Sequence, residues 1–200
     1  PKTTFSSRTT TILNENIADT KVSFKSTLAD FDIKKARFNI ADGSLTSDYT
    51  TKVHSLKNLY FATDRELKGS VVVDGELKKD KDLDLTFHSN IADGKIDGKL
   101  HNDDFHADIS AMQTLKILDM LVYPKIFKSS LDAKVDYNLL KEKGTFKGQL
   151  KDGVFTKNQM MTLVKDYKKV DLYKENFKGD LSANINKENI VASMDLKSRT

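Results

Sequence analysis

Two hundred residues suit one large domain or two small ones with a buried core. The complete absence of cysteine removes disulfide scaffolds, iron–sulfur clusters, thiolate zinc sites and cysteine nucleophiles together. The chain is 38% hydrophobic and 31% charged, a balance that gives a thin core and a polar outer surface. Its net charge of +4 comes from 33 basic and 29 acidic residues, and only Arg8, Arg37, Arg65 and Arg199 are arginine. Lysines scattered among acids make a solvated face rather than the guanidinium forks of a base-reading surface, so no nucleic-acid partner is expected.

Taken in chain order, the dominant signal is two-residue alternation. Val22, Phe24 and Leu28 begin it, followed by Phe38 and Ile40, then Leu45, Tyr49 and Val53. Val71, Val73 and Leu77 continue it, with Leu67 and Gly69 in the same phase. Then come Leu83, Leu85, Phe87 and Ile91; Ile96, Gly98 and Leu100; and Phe105, Ala107 and Ile109. Leu131, Ala133, Val135, Tyr137 and Leu139 form another run, then Phe146, Gly148 and Leu150. Phe177 to Ile185 and Ile190 to Leu196 close the series. Successive strand side chains point to opposite faces, so each run predicts a half-buried strand. Runs every ~10–12 residues, separated by turn signals, predict an antiparallel meander of about a dozen strands.

Asp-Gly pairs at Ala41-Asp42-Gly43, Ala92-Asp93-Gly94 and Lys151-Asp152-Gly153 predict tight turns, because Asp and Gly tolerate positive φ. The word Ile-Ala-Asp recurs at Ile17, Ile40 and Ile91 at unequal intervals, which reads as a reused hairpin device rather than a solenoid repeat. Two segments break the alternation and predict short amphipathic helices at about 110–123 and 157–169. Ser110 with Gln113, and Thr156 with Gln159, have capping-box spacing, and Pro124 is a stop for the first. The second carries Met160, Leu163, Val164 and Tyr167 at i, i+3, i+4 and i+7. The fold class is therefore mainly β, a long antiparallel meander curled into a trough or sandwich with two short helices. No linker divides it, so residues 1–200 are expected to form a single elongated β-rich domain.

The pattern poses a covering problem. A dozen strands present roughly 1,400 Å² of apolar face, from standard strand spacing and rise. Two short helices hide only about 400 Å² of it. A barrel, a sandwich, or a trough holding something apolar remains. The many small inward residues, among them Gly69, Gly98, Gly148, Gly179, Ala107, Ala133, Ala183 and Ala192, suit close sheet packing or room for a guest.

Sites for chemistry are sparse. The cluster from His101 to Asp108 has the right residue types for a metal, and His106 and Asp108 share strand parity. A solvated hairpin explains the same residues, so His101, His106 and Asp108 are weak candidates and no metal or cofactor is expected. Asp80, Asp82 and Asp84 imitate a calcium loop, but Leu85 stands where its glycine is required. No phosphate-binding, nucleophile-elbow or zinc-protease motif is present, and no enzyme activity is expected.

From Leu131 onward, Asp132-Ala133-Lys134-Val135-Asp136-Tyr137-Asn138-Leu139-Leu140, then Lys143-Gly144-Thr145-Phe146-Lys147-Gly148-Gln149-Leu150 and Asp152-Gly153-Val154-Phe155, precede the second helix and Phe177-Lys178-Gly179-Asp180-Leu181-Ser182-Ala183. This order resembles the C-terminal region of the AsmA family of TamB-related proteins, over about 70 residues. The resemblance implies a periplasmic chain, tethered to the inner membrane by a segment outside this sequence, with a curled apolar sheet linked to phospholipid transport and outer-membrane biogenesis. A chain that opens at Pro1 without an initiator Met fits a processed or excised piece of such a protein.

With that resemblance the trough is favoured over the sandwich. The expected function is a non-enzymatic lipid-binding or lipid-transfer module of the cell envelope. Its partners are a phospholipid or other acyl lipid, and envelope proteins. The lipid-lining candidates are Val71, Val73, Leu83, Leu85, Phe87, Ile96, Leu100, Phe105, Ile109, Leu131, Val135, Tyr137, Phe146 and Leu150, with Leu115, Leu118, Leu163 and Val164 as a helix plug. A closed β-sandwich acting as a scaffold or interaction module is the alternative.

Overall fold

A computed structural model describes residues 4–198. Pro1 and Arg199 lie outside the described residues. Twelve strands form an antiparallel meander whose hydrogen-bonded order is the chain order, β1 to β12. They are β1 (Phe5–Asn14), β2 (Ile17–Ser26), β3 (Ala29–Asn39), β4 (Leu45–Val53), β5 (Val71–Lys79), β6 (Leu83–Ile91), β7 (Gly94–His101), β8 (Asp104–Gln113), β9 (Phe127–Asn138), β10 (Lys143–Phe155), β11 (Phe177–Asn186) and β12 (Asn189–Ser198). The mainly β meander read from alternation is the observed fold class. The chain forms two compact units: the first takes the described chain to Asn90 with Ile96–Phe105, the second takes Ile91–Lys95 with the described chain from His106 on.

Several local expectations need correction. The helix expected at about 110–123 is α2 (Thr114–Met120), and Ser110 to Gln113 are still strand. Gln113 makes no side-chain cap; its amide donates to Ala92 O instead. The capping box fails because the ladder claims Gln113 first. The other helix is α3 (Gln159–Lys168), capped by Asn158, whose Oδ1 accepts from the Met161 amide at 2.9 Å. Thr156 is not the cap; its hydroxyl donates to Lys125 O. A single turn, α1 (Tyr60–Thr63), follows a 3₁₀ segment Leu56–Leu59, in a stretch where alternation gave no signal. Leu67 and Gly69 precede β5, and Gly69 has φ +97.

Two of the three Asp-Gly pairs make turns. Ala92 and Asp93 both have positive φ between β6 and β7, and Gly43 has φ +74 between β3 and β4. The third lies inside β10. Asp152 has φ +53, and the register of β10 slips by one residue against both β9 and β11 there. That is a β-bulge, one extra residue in the strand, and not a hairpin. The first Ile-Ala-Asp word is strand as well: Asp19 lies in β2 and holds Arg37 of β3 at 2.9 Å.

Candidate functional site

In the first unit, register sets the apolar residues side by side. Phe24, Phe31, Thr51 and Val73 form one cross-strand row, and Ala18, Phe38 and Leu45 another. Val71 lies beside Val53, Leu77 beside Leu85, and Lys79 beside Leu83. The Phe87 ring lies over Gly98 and stacks on Phe105 with centroids 5.5 Å apart. Val71, Val73, Leu83, Leu85, Phe87, Ile96, Leu100 and Phe105 therefore share one face. All eight are half-buried; Leu56 is the buried hydrophobic residue of this unit among those described. Burying such residues fully requires a second layer, and the strands alone leave them part-exposed.

In the second unit, Leu131 pairs with Leu150, Ala133 with Gly148 and Val135 with Phe146 across β9 and β10. Gly179, Leu181 and Ala183 extend those rows on β11, and Leu196, Met194 and Ala192 extend them on β12. Burial runs in a gradient along this face. Leu131, Ala133, Leu150 and Phe177 are buried. Near them, the rings of Phe127, Phe155 and Phe177 interlock at 5.0–6.4 Å. Toward the far ends, Ile109, Val135, Tyr137 and Phe146 are half-buried, while Ile190 is 65% and Met194 62% exposed. The face is closed at the aromatic cluster and open elsewhere.

The small residues on these faces do not leave empty room. A Cβ on Gly98 would lie 2.1 Å from the Phe87 ring, and one on Gly179 2.5 Å from Leu196 Cδ2. Large neighbours lean over the glycines, which smooths the face and keeps it apolar.

Among the helix residues, Leu115 and Leu118 are half-buried, and α2 packs against β9. Thr114 ties the helix start to β9 by donating to Phe127 O at 2.8 Å and accepting from the Ser129 amide. In α3 the expected apolar face is turned outward. Val164 is half-buried, but Leu163 is exposed, as are Met160 and Tyr167.

The opposite face carries charge, and all four histidines lie on it or at its rim. Each meets an aspartate on a neighbouring strand: His54 with Asp30 at 3.1 Å, His88 with Asp97 at 2.7 Å, His101 with Asp84 at 2.7 Å, and His106 with Asp136 at 2.6 Å. His106 also meets Asp108 at 3.1 Å, so the shared parity of that pair is realised. The hydrogen bond to Asp136, then that to Asp108, holds the His106 pKa above its ordinary value; the bond to Asp84 does the same for His101. His101 ends β7 and His106 lies in β8. Among the described residues no group of three or more His, Asp or Glu is arranged to hold a metal ion. The histidines serve as cross-strand hydrogen-bond partners of aspartates, a role that parity alone did not disclose.

Open grooves run among these polar side chains. One of about 660 Å³ is lined by Lys34, Asp48, Asp74, Glu76, His88 and Asp97, and one of about 580 Å³ by Asp108, Asp132, Lys134, Lys147 and Asp180. Lys151 closes on Asp132 at 2.5 Å, and that bond, with the Ala111 amide, holds the Asp132 carboxyl below its usual range. Lys134 likewise lies 3.7 Å from Asp108.

Among the described residues no helix is long and apolar enough to cross a membrane. No family model matches the chain, and no curated protein or solved structure matches it.

Proposed function

We propose that the chain is a non-enzymatic lipid-binding or lipid-transfer module whose apolar sheet face shields acyl chains. One observation carries the reading: in each unit, rows of Val, Leu, Ile and Phe share a face, half-buried in the first unit and, beyond the buried Leu131, Ala133, Leu150 and Phe177, in the second. Contiguous apolar surface of that extent marks a site for an apolar ligand or partner. An acyl chain laid along it gains about 0.8 kcal/mol per buried CH₂. Lysines at the strand ends, such as Lys79 and Lys143, offer charge to headgroup phosphates. The AsmA-like order of the C-terminal strands agrees with this reading and extends it: a periplasmic module, tethered to the inner membrane by a segment outside this chain, that carries phospholipid toward the outer membrane.

Native mass spectrometry of gently purified protein, with photo-crosslinking from positions 87 and 135, tests it. Copurified phospholipid crosslinked at both positions is the expected result. Protein free of lipid and crosslinks sinks the reading.

A second reading, an interaction module, draws on β12. This edge strand pairs with β11 without a bulge over ten residues and is exposed along nearly its whole length. Such an edge accepts a strand from an envelope protein.

A further inference from the structure

Two exposed apolar segments of the second unit flank the same end of the β9–β10 ladder. One is the turn Leu121-Val122-Tyr123 that ends α2; the other is α3. The chain that follows the turn and the chain that precedes α3 are tied there: the Thr156 amide donates to Ile126 O at 3.0 Å and its hydroxyl donates to Lys125 O. On α3, Met160, Leu163 and Tyr167 lie at i, i+3 and i+7 and are 63%, 49% and 82% exposed. Sequence periodicity makes this the helix's apolar stripe, and the structure leaves it uncovered.

The turn is unusual in its own right. Val122 has φ +60, a left-handed conformation that β-branched residues avoid, and its side chain is exposed. Its amide donates to Asp119 O and that of Tyr123 to Leu118 O, as in a helix end where glycine is the comfortable residue. A valine held in a strained position at 41% exposure is a place to look for a role outside the core.

Charge identifies the partner. Residues 157–174 hold five lysines against two aspartates and no arginine. Lys157 precedes the stripe, and Lys168 and Lys169 follow it, with Lys169 in the left-handed cap. Lysine brackets around a shallow stripe of Met, Leu and Tyr suit the boundary of an anionic bilayer, where aliphatic groups enter the acyl region and ammonium groups meet phosphate.

From this juxtaposition we infer that α3 and the Leu121-Val122-Tyr123 turn form a docking surface for an anionic phospholipid bilayer. The inference goes beyond the acyl-shielding reading and is independent of it. A chain that carries no lipid on its sheet still docks, and a lipid-loaded chain that does not dock overturns this inference alone.

Flotation with phosphatidylcholine vesicles, with and without phosphatidylglycerol, is the test. The chain is expected to float with the anionic vesicles and remain behind with the neutral ones. Leu163→Asp and Tyr167→Asp, both at exposed positions, are expected to reduce binding about tenfold or more while circular dichroism stays unchanged. Lys168→Glu with Lys169→Glu is expected to weaken it at least fivefold for each lysine lost. Val122→Gly separates structure from docking, because it is expected to raise the Tm and lower vesicle affinity together. Equal flotation with both vesicle types, or parent-like binding by Leu163→Asp, overturns the inference. So does a chain that ignores vesicles but forms a dimer that Leu163→Asp dissolves.

Discussion

The Tyr49 hydroxyl on β4 reaches past β5 to donate to the Thr86 carbonyl on β6 at 2.8 Å. Gly75 lies between them, paired with Tyr49 on one side and Phe87 on the other. A Cβ at position 75 would lie 1.9 Å from Thr86 O, so β5 and β6 approach there more closely than any side chain allows. The Glu76 amide meanwhile donates to Thr86 Oγ1 at 3.2 Å. Burial, then the charge of Asp74, pushes the Tyr49 phenol pKa up, which keeps its proton available for the bond.

Gly75→Ala is therefore expected to cost about 3 kcal/mol, as an overpacked site whose obstacle is backbone. Tyr49→Phe removes one hydrogen bond and is expected to cost about 1 kcal/mol. Urea unfolding midpoints measure both. A Gly75→Ala change milder than Tyr49→Phe contradicts the close approach.

The histidine–aspartate pairs predict how stability responds to pH. His101 and His106 have folded pKa values raised above the ordinary value of 6.5. A raised pKa contributes stability that is full below the unfolded value and is lost as pH rises through the folded value. The Tm is expected to fall on going from about pH 6 to about pH 9. His106→Gln removes the charge that meets Asp136 and Asp108, so it is expected to flatten part of that slope. An identical slope in His106→Gln would place the titration elsewhere.

What the sequence discloses, it discloses through apolar alternation. The strands from Val71 to Ile109 and from Leu131 to Leu150 alternate cleanly, and the lining candidates drawn from them do fall on one face in each unit. β1 escapes the same test because its row toward that face is Phe5, Ser7, Thr9, Thr11 and Leu13, polar through the middle. It is held by pairing with β2, by Phe5 on Phe24 at 5.9 Å, and by Thr11 on Thr20 at 3.1 Å. Caps are misread where tertiary bonds win, as when Thr156 turns to Lys125 and Asn158 takes over the helix start. The histidine pairing is invisible beforehand, since it depends on which strands become neighbours and in what register.

The aromatic cluster sets the closed end of the second unit. Phe177 is 8% exposed and meets Phe127 at 6.4 Å and Phe155 at 5.2 Å. Phe177→Ala is expected to cost about 3 kcal/mol, the lower range for a buried aromatic because its neighbours can partly collapse. Phe155→Leu keeps most of the volume and is expected to cost about 1 kcal/mol. Thermal melts of both variants separate loss of filling from loss of ring geometry; equal costs would show that edge-to-face packing, rather than filling, carries the cluster.

That cluster depends on the bulge in β10. Leu150 and Phe155 differ in parity, so a regular strand would send them to opposite faces. The extra residue near Asp152 shifts the phase, and Phe155 then pairs with Phe127 while Gly153 pairs with Phe177. Asp152 takes the left-handed conformation at φ +53 that makes the shift possible. Asn tolerates that conformation, so Asp152→Asn is expected to stay within about 0.5 kcal/mol of the parent. Val does not, and Asp152→Val is expected to lose about 1–2 kcal/mol. A crosslink engineered between positions 155 and 127 should then form less in the valine variant alone, because the strained bulge releases Phe155 from its neighbours. A valine variant as stable as the parent would show that the left-handed residue is not what holds the phase shift in place.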